Sequence, residues 1–223
     1  RLVKQLMDFR KVENNKFQLR VSKNDIASFI GEIKKAFDKI AEERKIDYRF
    51  INESHGTAAW FDGNILDKIL FNLLSNAFKF TPEKGFIHII LNRSENKIAI
   101  TVKDNGRGMS GEHLDHLFDR FYQGERENQE GTGLGLALSK ELISLHKGDI
   151  KVESDKNVGT SFTIEIPAGE DVYSEEEHSH DIEGGKKGEI DYVPYFIEDF
   201  TEVKLPEKEI LDEKKKVVLV IED

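Results

Sequence analysis

Two glycine-rich stretches contain residues that could bind a nucleotide. The first is Asp104–Met109, with the sequence Asp-Asn-Gly-Arg-Gly-Met, and the second is Gly131–Leu136, with the sequence Gly-Thr-Gly-Leu-Gly-Leu. Glycine permits backbone angles and close ligand approaches that side chains forbid. The second stretch runs into an apolar helical pattern, whose first turn would offer free N–H groups and a positive dipole end to phosphates. Asp104 can accept a hydrogen bond from an amine but would repel phosphate, so we predict the base at Asp104 and the phosphates at the second stretch.

A polar stripe lies on the helix that the pattern predicts to begin at Asp62. Asn72, Asn76 and Lys79 are spaced at i, i+4 and i+7, which places two amides and an ammonium on one side of this helix. One interpretation is a solvated face, and a lone lysine near a helix end often only complements the helix dipole. Asparagine is a poor helix former, however, so two of them one turn apart favour oxygen ligands for a hard cation or a phosphate-bound water.

The elements that must position these residues follow from the hydrophobic periodicity. Helical spacing is found at Leu2–Val12, after a predicted Asn24 cap at Ile26–Ile40, from Asp62 to Thr81, at His113–Phe118 and from Leu134 to His146. Strand patterns are found at Phe17–Val21, Ile46–Ile51, Thr57–Phe61, Phe86–Asn92, Lys97–Lys103, Ile150–Glu153 and Thr160–Ile166. The hairpin formed by the two long strands delivers Asp104 at a strand end. The polar segment Glu125–Glu130 has no hydrophobic residue and is predicted to be a mobile lid.

Composition limits the classes of function. The 223 residues contain no cysteine, which excludes a disulfide framework or a thiolate metal site and suits a reducing cytoplasm. No apolar run has the length of a membrane span. The formal net charge is -10, but residues 168–213 hold 16 acidic and 4 basic side chains, so the rest of the chain has a net charge of +2. The acidity belongs to a tail, and the chain has no basic face for nucleic acid.

The chain divides into four predicted parts. Residues 1–14 form the end of a helix, 15–167 a domain, 168–215 a partly ordered acidic linker, and 216–223 the first strand of a truncated domain. Within the linker, Tyr192–Phe200 is too apolar for an idle spacer and is predicted to dock. In the last part, Val217–Ile221 has the pattern of a buried strand, with Glu222 and Asp223 at its carboxyl end.

Taken together, these motifs resemble the catalytic ATP-binding domain of sensor histidine kinases, over residues 22–167. Asn72–Phe80 matches the N box of that family, and the resemblance implies that Asn76 binds Mg²⁺, that Asn72 helps to hold metal and phosphates, that Lys79 and Arg120 neutralise phosphate charge, and that Phe80 stacks near the base. By the same likeness Asp104 binds the adenine amine. The remaining implied ATP-binding residues are Gly106, Gly108, Met109, Phe118, Phe121, Gly131, Thr132, Gly133, Leu134, Gly135, Leu136 and Thr160.

The resemblance also implies a fold and partners. The fold is α+β, a two-layer sandwich with a mixed sheet of about five strands, three helices on one face and a mobile ATP lid. Residues 1–14 resemble the end of the dimerisation helices, which carry the phosphoacceptor histidine upstream, and residues 216–223 resemble the start of a receiver domain. The parent would then be a homodimeric hybrid sensor, cytoplasmic in this part and membrane-anchored elsewhere.

Two other functions are compatible with the motifs. The same fold serves topoisomerases, mismatch-repair ATPases and chaperones, which hydrolyse ATP with a glutamate at the position of Asn72. An amide cannot act as a general base, so the sequence favours phosphoryl transfer to an external nucleophile over hydrolysis. The second alternative is a nucleotide-sensing module that binds ATP without transferring phosphate.

Overall fold

The computed structural model describes residues 2–14, 17–122 and 132–178, which form one sheet layer and one helix layer. The helices are α1 (Leu2–Glu13), α2 (Ile26–Glu43), α3 (Gly63–Phe80), α4 (Gly111–Asp115) and α5 (Gly135–Leu145). The strands are β1 (Ser22–Asp25), β2 (Asp47–Asn52), β3 (Ala58–Phe61), β4 (Phe86–Arg93), β5 (Lys97–Asp104), β6 (Asp149–Asp155) and β7 (Gly159–Pro167). A short 3₁₀ turn follows at Glu175–Glu177.

The main sheet has five strands in the order β2-β4-β5-β7-β6. Strands β2 and β4 are parallel, whereas the other neighbours are antiparallel. Along β5, Ile98, Ile100 and Val102 are buried and alternate with more accessible residues, as expected for a strand with one face against the core. The predicted α+β fold with a mixed sheet of about five strands is confirmed.

Three helices cover this face of the sheet. Helix α2 packs on β2, α3 on β5 and α5 on β6, and α3 contacts both of the other helices. The ring centroid of Phe37 on α2 lies 5.2 Å from that of Phe71 and 5.2 Å from that of Phe78, both on α3. Aromatic contacts therefore join the two helices. Helix α3 begins at Asp62, whose carboxylate accepts hydrogen bonds from the N–H groups of Asn64 and Ile65.

Two local predictions were wrong near the start of the domain. The strand predicted at Phe17–Val21 is not formed: the strand is Ser22–Asp25, which pairs with β3, and Val21 makes only an isolated bridge to His178. The alternating apolar residues reflect side-chain burial, with Leu19 7% and Val21 0% exposed, and not a ladder of backbone hydrogen bonds. The cap of α2 is Asp25, because its carboxylate accepts the Ser28 N–H at 2.7 Å.

The short helix predicted at His113–Phe118 lies earlier, at Gly111–Asp115. Ser110 starts this helix, since its carbonyl accepts the N–H groups of His113 and Leu114. Leu117 and Phe118 follow in turns that pack against the core. The helical spacing of the apolar residues therefore continues beyond the helix itself.

The first residues of the predicted linker pack on the domain. Ala168 and Tyr173 are 4% and 5% exposed, and the Glu177 carbonyl accepts the Val21 N–H at 2.8 Å. The predicted lid at 125–130, the docking of 192–200 and the strand at 217–221 lie outside the described residues. The division into four parts stays a prediction.

Candidate nucleotide-binding site

The carboxyl-terminal half of α3 carries the predicted polar stripe. Asn72 is buried at 7% exposure, Asn76 is half-buried and Lys79 is exposed in the last turn. Because Asn72 is surrounded by core residues on its own helix, its polar groups need partners inside the protein. The stripe thus runs from a buried amide to an exposed cation, which argues against a uniformly solvated face.

A partner of Asn72 comes from α5. Its Nδ2 lies 2.9 Å from Ser139 Oγ, and the Ser139 hydroxyl lies 3.0 Å from the Gly135 carbonyl oxygen. A Cβ added to Gly135 would lie 2.2 Å from Asn72 Oδ1, so a side chain at this position would push the amide out of its place. Ser139 was not among the predicted site residues, because a serine inside an apolar helical pattern gives no sequence signal of its partner.

Asp104 closes strand β5 and is only 6% exposed. Its Oδ1 accepts the Gly106 N–H at 2.7 Å, a bond that turns the chain away from the sheet. Burial raises the pKa of the Asp104 carboxyl, while backbone hydrogen bonds from Gly106 and Thr160 oppose the shift. A buried and fixed acceptor of this kind suits an amine donor from a planar base.

The two glycines after Asp104 are required by close packing. A Cβ on Gly106 would lie 2.7 Å from the Phe80 carbonyl oxygen, and a Cβ on Gly108 would lie 1.9 Å from the Asp155 carbonyl oxygen. Gly108 also has φ +60°, which glycine adopts without strain. The loop therefore passes between the end of α3 and the turn that joins β6 to β7.

Ser154 fastens this loop to the sheet. Its Oγ accepts the Met109 N–H at 2.9 Å, lies 3.0 Å from Thr160 Oγ1, and lies 2.9 Å from the Gly159 carbonyl oxygen. Met109 and Thr160, both predicted site residues, are thereby joined through a residue that the sequence did not single out. Ser154 lies on β6, some 45 positions along the chain from Met109, so only the strand pairing brings it here.

Phe80 ends α3 beside this loop and is flanked by cations. The Arg107 guanidinium carbon lies 4.5 Å from the Phe80 ring centroid, and the Lys79 ammonium lies 5.4 Å from it. Such distances are typical of cation–π contacts. The end of α3 and the Asp104 loop therefore form a positively charged rim around one aromatic ring.

The two phenylalanines among the predicted ATP-binding residues, Phe118 and Phe121, differ in environment. Phe118 packs on the core under the Lys140 ammonium, which lies 5.0 Å from its ring centroid, whereas Phe121 is 61% exposed with φ +63°. The Phe121 N–H donates to the Gly133 carbonyl at 3.0 Å. A Cβ on Gly133 would lie 2.6 Å from the Phe121 backbone, so this crossing of the two chain segments requires glycine.

The second glycine stretch leads into α5 as predicted, within the part that the structure describes. Leu134 is 1% exposed and its N–H donates to Thr132 Oγ1 at 3.3 Å, and Leu136 packs at the edge of the core. Leu134, the residue that precedes α5, has no side-chain group that could cap its first turn. The predicted site residue Gly131 lies outside the described residues.

Arg120 contacts the helix that precedes the domain. Its guanidinium carbon lies 4.2 Å from the ring centroid of Phe9, a residue of α1 that is 4% exposed. The structure thus brings the predicted phosphate-binding arginine against an aromatic ring of α1. Most of the other predicted site residues lie around the carboxyl ends of α3 and β5 and the start of α5.

The donor set limits how a metal ion could be held. Within the described residues, no three side chains of His, Cys, Asp or Glu cluster as a metal site. The amide oxygen of Asn72 lies at the first turn of α5, and Asn76 follows one turn later on α3. Such hard oxygen donors fit Mg²⁺, which commonly takes one or two protein ligands together with phosphates and water. The residues present therefore fit a magnesium ion bound jointly with phosphates.

Comparison with known families gives one domain match. Residues 61–170 match the family described as "Histidine kinase-, DNA gyrase B-, and HSP90-like ATPase". This range contains the α3 stripe, the Asp104 loop, the second glycine stretch and Thr160. It ends just before Tyr173.

Similar proteins are named as histidine kinases. The chain is 32% identical over its whole length to "Histidine kinase P4" of Formosa agariphila, and covers 17% of that protein. The present chain is also 34% identical, over 74% of its own length, to "Sensor histidine kinase YvrG" of Bacillus subtilis, and it covers 29% of that protein. The chain therefore spans less than a third of the length of these two relatives.

Solved structures agree with the fold. The catalytic domain of histidine kinase ThkA superposes with a TM-score of 0.61 at 26% identity, covering 67% of this chain and 99% of that one. Full-length ShkA in complex with AMPPNP superposes with a TM-score of 0.68 at 25% identity, covering 75% of this chain and 35% of that one. No helix in the described part of the present chain has the length and apolar character needed to cross a membrane.

Proposed function

We propose that this domain transfers the γ-phosphate of Mg-ATP to a histidine on upstream dimerisation helices. The proposal is supported by the match of residues 61–170 to the histidine kinase-, DNA gyrase B- and HSP90-like ATPases and by the relatives, which are named histidine kinases. The observation that carries this proposal is the Asn72 amide. It is buried and bonded to Ser139, at the place where ATP-hydrolysing relatives of the fold have a glutamate. With no proton acceptor there, activation of water is disfavoured and an external nucleophile is favoured.

Asp104 would recognise the base. Its buried carboxylate keeps lone pairs for an exocyclic amine while Gly106 occupies Oδ1. Adenine offers such an amine and guanine offers a carbonyl oxygen at the equivalent position, so this acceptor favours ATP over GTP. Phe80 would contribute an aromatic surface, and Ser154 would hold the loop and Thr160 in place.

The opposite side of the site would neutralise phosphate charge. Asn76, with Asn72, would hold a magnesium ion that draws negative charge from the phosphates. Lys79 lies in the last turn of α3, and the first turn of α5, which follows Leu134, would offer backbone N–H groups to the same anion. The donors would be fixed before the ligand arrives, which lowers the cost of reorganisation during transfer.

In the transfer itself, a histidine nitrogen attacks the γ-phosphorus, the bond to the β-phosphate oxygen breaks, and ADP leaves. The described residues would contribute positioning and charge stabilisation to this step. Arg120 lies on Phe9 in this structure and would have to leave the ring to reach the phosphates. The segment Glu125–Glu130 would exclude water as a lid.

We further propose that the parent is a homodimeric hybrid sensor kinase with a receiver domain after residue 215 and a membrane anchor outside this chain. Support comes from the Formosa relative, whose match covers all of this chain, including residues 168–223. Another relative, 32% identical over 75% of the chain, is named "Hybrid signal transduction histidine kinase D" of Dictyostelium discoideum. A receiver would accept the phosphate on an aspartate.

The test uses this chain with radiolabelled ATP. We expect Mg-ATP binding by calorimetry, no labelling of the chain alone, and acid-labile label on the dimerisation helices of its parent when these are added in trans. Transfer should be slow, because docking in trans lacks the effective concentration of a covalent link. Binding without any transfer would favour a sensing module, and steady ATP hydrolysis without added helices would favour an ATPase. Label mapped to any of the seven histidines of the chain would also contradict the proposal.

A further inference from the structure

We propose that Ser139 is a positioning residue that holds the Asn72 amide with its oxygen toward the first turn of α5. The inference rests on the proposed function, since it concerns how the site receives Mg-ATP. It assigns a role to a residue that no nucleotide would touch, and it starts from the hydrogen bonds that join α3 to α5.

The direction of these hydrogen bonds follows from the number of protons that the Ser139 hydroxyl can donate. Ser139 has one hydroxyl proton, and the geometry directs it to the Gly135 carbonyl oxygen at 3.0 Å. Ser139 Oγ must therefore accept in its 2.9 Å contact with Asn72, and an acceptor requires the amide nitrogen, Nδ2, on that side. The orientation of the Asn72 amide is thus set by the hydrogen-bond network.

The opposite end of the amide faces the start of α5. Asn72 Oδ1 would lie 2.2 Å from a Cβ on Gly135, closer than Nδ2, which would lie at 3.2 Å. The oxygen is therefore held at the first turn of the helix, next to the glycine stretch where the phosphates are placed. Any side chain at position 135 would displace it.

Burial makes this orientation depend on Ser139. Asn72 is 7% and Ser139 2% exposed, so water is poorly placed to replace the hydroxyl. Without the hydroxyl, the NH₂ group would face apolar side chains and lose its hydrogen bond. The amide rotated by 180° would then be similar in free energy to the original orientation. The flipped amide would present NH₂ donors to the place where an oxygen is required by a cation or by a cation-bound water. Ser139 therefore protects magnesium binding through Asn72.

The test compares Ser139→Ala with Ser144→Ala. Ser144 also lies on α5 and also donates to the carbonyl four residues before it, that of Lys140, at 2.9 Å, but it is exposed. The Ser144→Ala control thus removes the same kind of helix bond without touching Asn72. Calorimetry would measure ADP affinity across a Mg²⁺ titration and again in EDTA, so that metal-linked and metal-free binding are separated.

We expect Ser139→Ala to need about fivefold more Mg²⁺ for half-maximal tightening of ADP binding, the size of one ordinary hydrogen bond, with affinity in EDTA changed by less than about twofold. Ser139→Thr, which keeps the hydroxyl, should restore the wild-type titration. Ser144→Ala should leave it unchanged. An equal loss of affinity with and without Mg²⁺ would mean a merely structural role and would overturn the proposal.

A double-mutant cycle tests whether Ser139 acts through Asn72. Chemical denaturation of the ligand-free chain would be measured for Ser139→Ala, Asn72→Ala and the double variant. When Asn72 is alanine, we expect the Ser139→Ala effect to shrink to the loss of the helix bond alone, as measured by Ser144→Ala, and full additivity would overturn the proposal. If the wild type bound no Mg-ATP, the proposed function would fail, whereas normal wild-type binding with an unchanged Mg²⁺ titration in Ser139→Ala would reject this inference alone.

Discussion

The two ends of the α3–α5 pair are built differently. At the nucleotide end, where α3 ends and α5 begins, the residues are glycines and polar or charged side chains that become more exposed toward Lys79. At the distal end, where α3 begins and α5 ends, His146 is 0% and Tyr173 5% exposed. Asn72 and Asp62 lie ten positions apart on α3, about 15 Å along the helix axis.

The distal end is a closed hydrogen-bond network. The Asp62 N–H donates to His146 Nε2 at 2.9 Å, and His146 Nδ1 lies 3.0 Å from the Tyr173 hydroxyl. Because Nε2 accepts, the neutral ring carries its proton on Nδ1 and donates to Tyr173. The Asp62 carboxylate also accepts the Arg20 N–H at 2.8 Å, so the segments that enter and leave the domain meet at the start of α3.

Comparison of the two ends suggests a division of work. The distal network fixes the helices relative to one another, so the nucleotide end can carry exposed charged side chains and glycine without losing its geometry. Variants at the nucleotide end should then lower ligand affinity more than stability, and variants at the distal end the reverse. Four predictions test this separation, from the largest expected effect to the smallest.

Asp104→Ala should give the largest change. Loss of the buried acceptor should weaken ATP binding about 100-fold, because an amine of the base would lose its partner on desolvation. Circular dichroism should show an unchanged fold. ATP affinity equal to that of the wild type, measured by calorimetry, would mean that the base lies elsewhere.

Gly135→Ala should be the next largest. Its methyl would lie 2.2 Å from Asn72 Oδ1, and relief of this overlap costs about 1–3 kcal/mol. We expect a drop in Mg-ATP affinity of about tenfold or more. The matched control is Gly31→Ala on α2, where nothing lies within 4 Å of the added carbon, and there the free energy of unfolding should rise by about 0.5–1 kcal/mol. Equal ATP affinities in the two variants would contradict the packing argument.

His146 should make stability depend on pH. Burial lowers the pKa of His146 below its ordinary value of 6.5, with the nearby Asp62 and Glu177 opposing and Lys147 reinforcing the shift. The unfolded chain therefore binds this proton at higher pH than the folded chain does. Stability is complete above about pH 6.5 and falls as the pH drops toward the folded pKa, by up to about 1.4 kcal/mol per pH unit.

The measurement compares urea unfolding of the wild type and His146→Gln between pH 5 and 8. The glutamine amide can still accept a hydrogen bond but does not titrate, so the variant should lack this slope. The pKa of the exposed His116 is raised, mainly by its hydrogen bond to Asp119, so its contribution to the pH dependence of stability has the opposite sign. Because His116 is present in both proteins, this contribution cancels in the comparison. Parallel pH profiles for the two proteins would exclude His146 as the titrating group.

Tyr173→Phe should have the smallest effect. It removes one hydroxyl from the distal network but keeps the ring, and should lower the free energy of unfolding by about 1 kcal/mol. ATP affinity of the folded protein should not change. If calorimetry showed a loss of affinity as large as that of Gly135→Ala, the two ends would be coupled and the division of work would be wrong.

Much of this protein could be predicted from the sequence because the signals are local. The apolar periods of α2 and α3, the β4–β5 hairpin with Asp104 at its end, and the glycine stretch that opens α5 depend on neighbouring residues. The order of the motifs was sufficient to indicate the fold. The lid and the receiver strand lie outside the described residues and stay predictions.

The wrong strand prediction occurred where buried residues have the alternating spacing of a strand without forming one. Leu19 and Val21 alternate like a strand and are buried, but Val21 bonds to the distant residues 177 and 178, and the ladder begins only at Ser22. Asn24 and Asp25 are both suitable helix caps. In the structure the cap of α2 is Asp25, whose carboxylate also accepts the Thr57 hydroxyl at 2.6 Å. A short sequence window contains neither contact.

By itself, the sequence determined which residues are candidates for nucleotide binding, since residue type, helical spacing and glycine placement are properties of adjacent positions. Only the tertiary structure decided that Ser139 orients Asn72, 67 positions away, and that His146 bonds to Asp62, 84 positions away. It likewise decided that Tyr173 packs against His146 instead of belonging to a free linker. These contacts depend on how helices and strands pack in space, because a buried polar group takes whichever partner the fold brings within hydrogen-bonding distance.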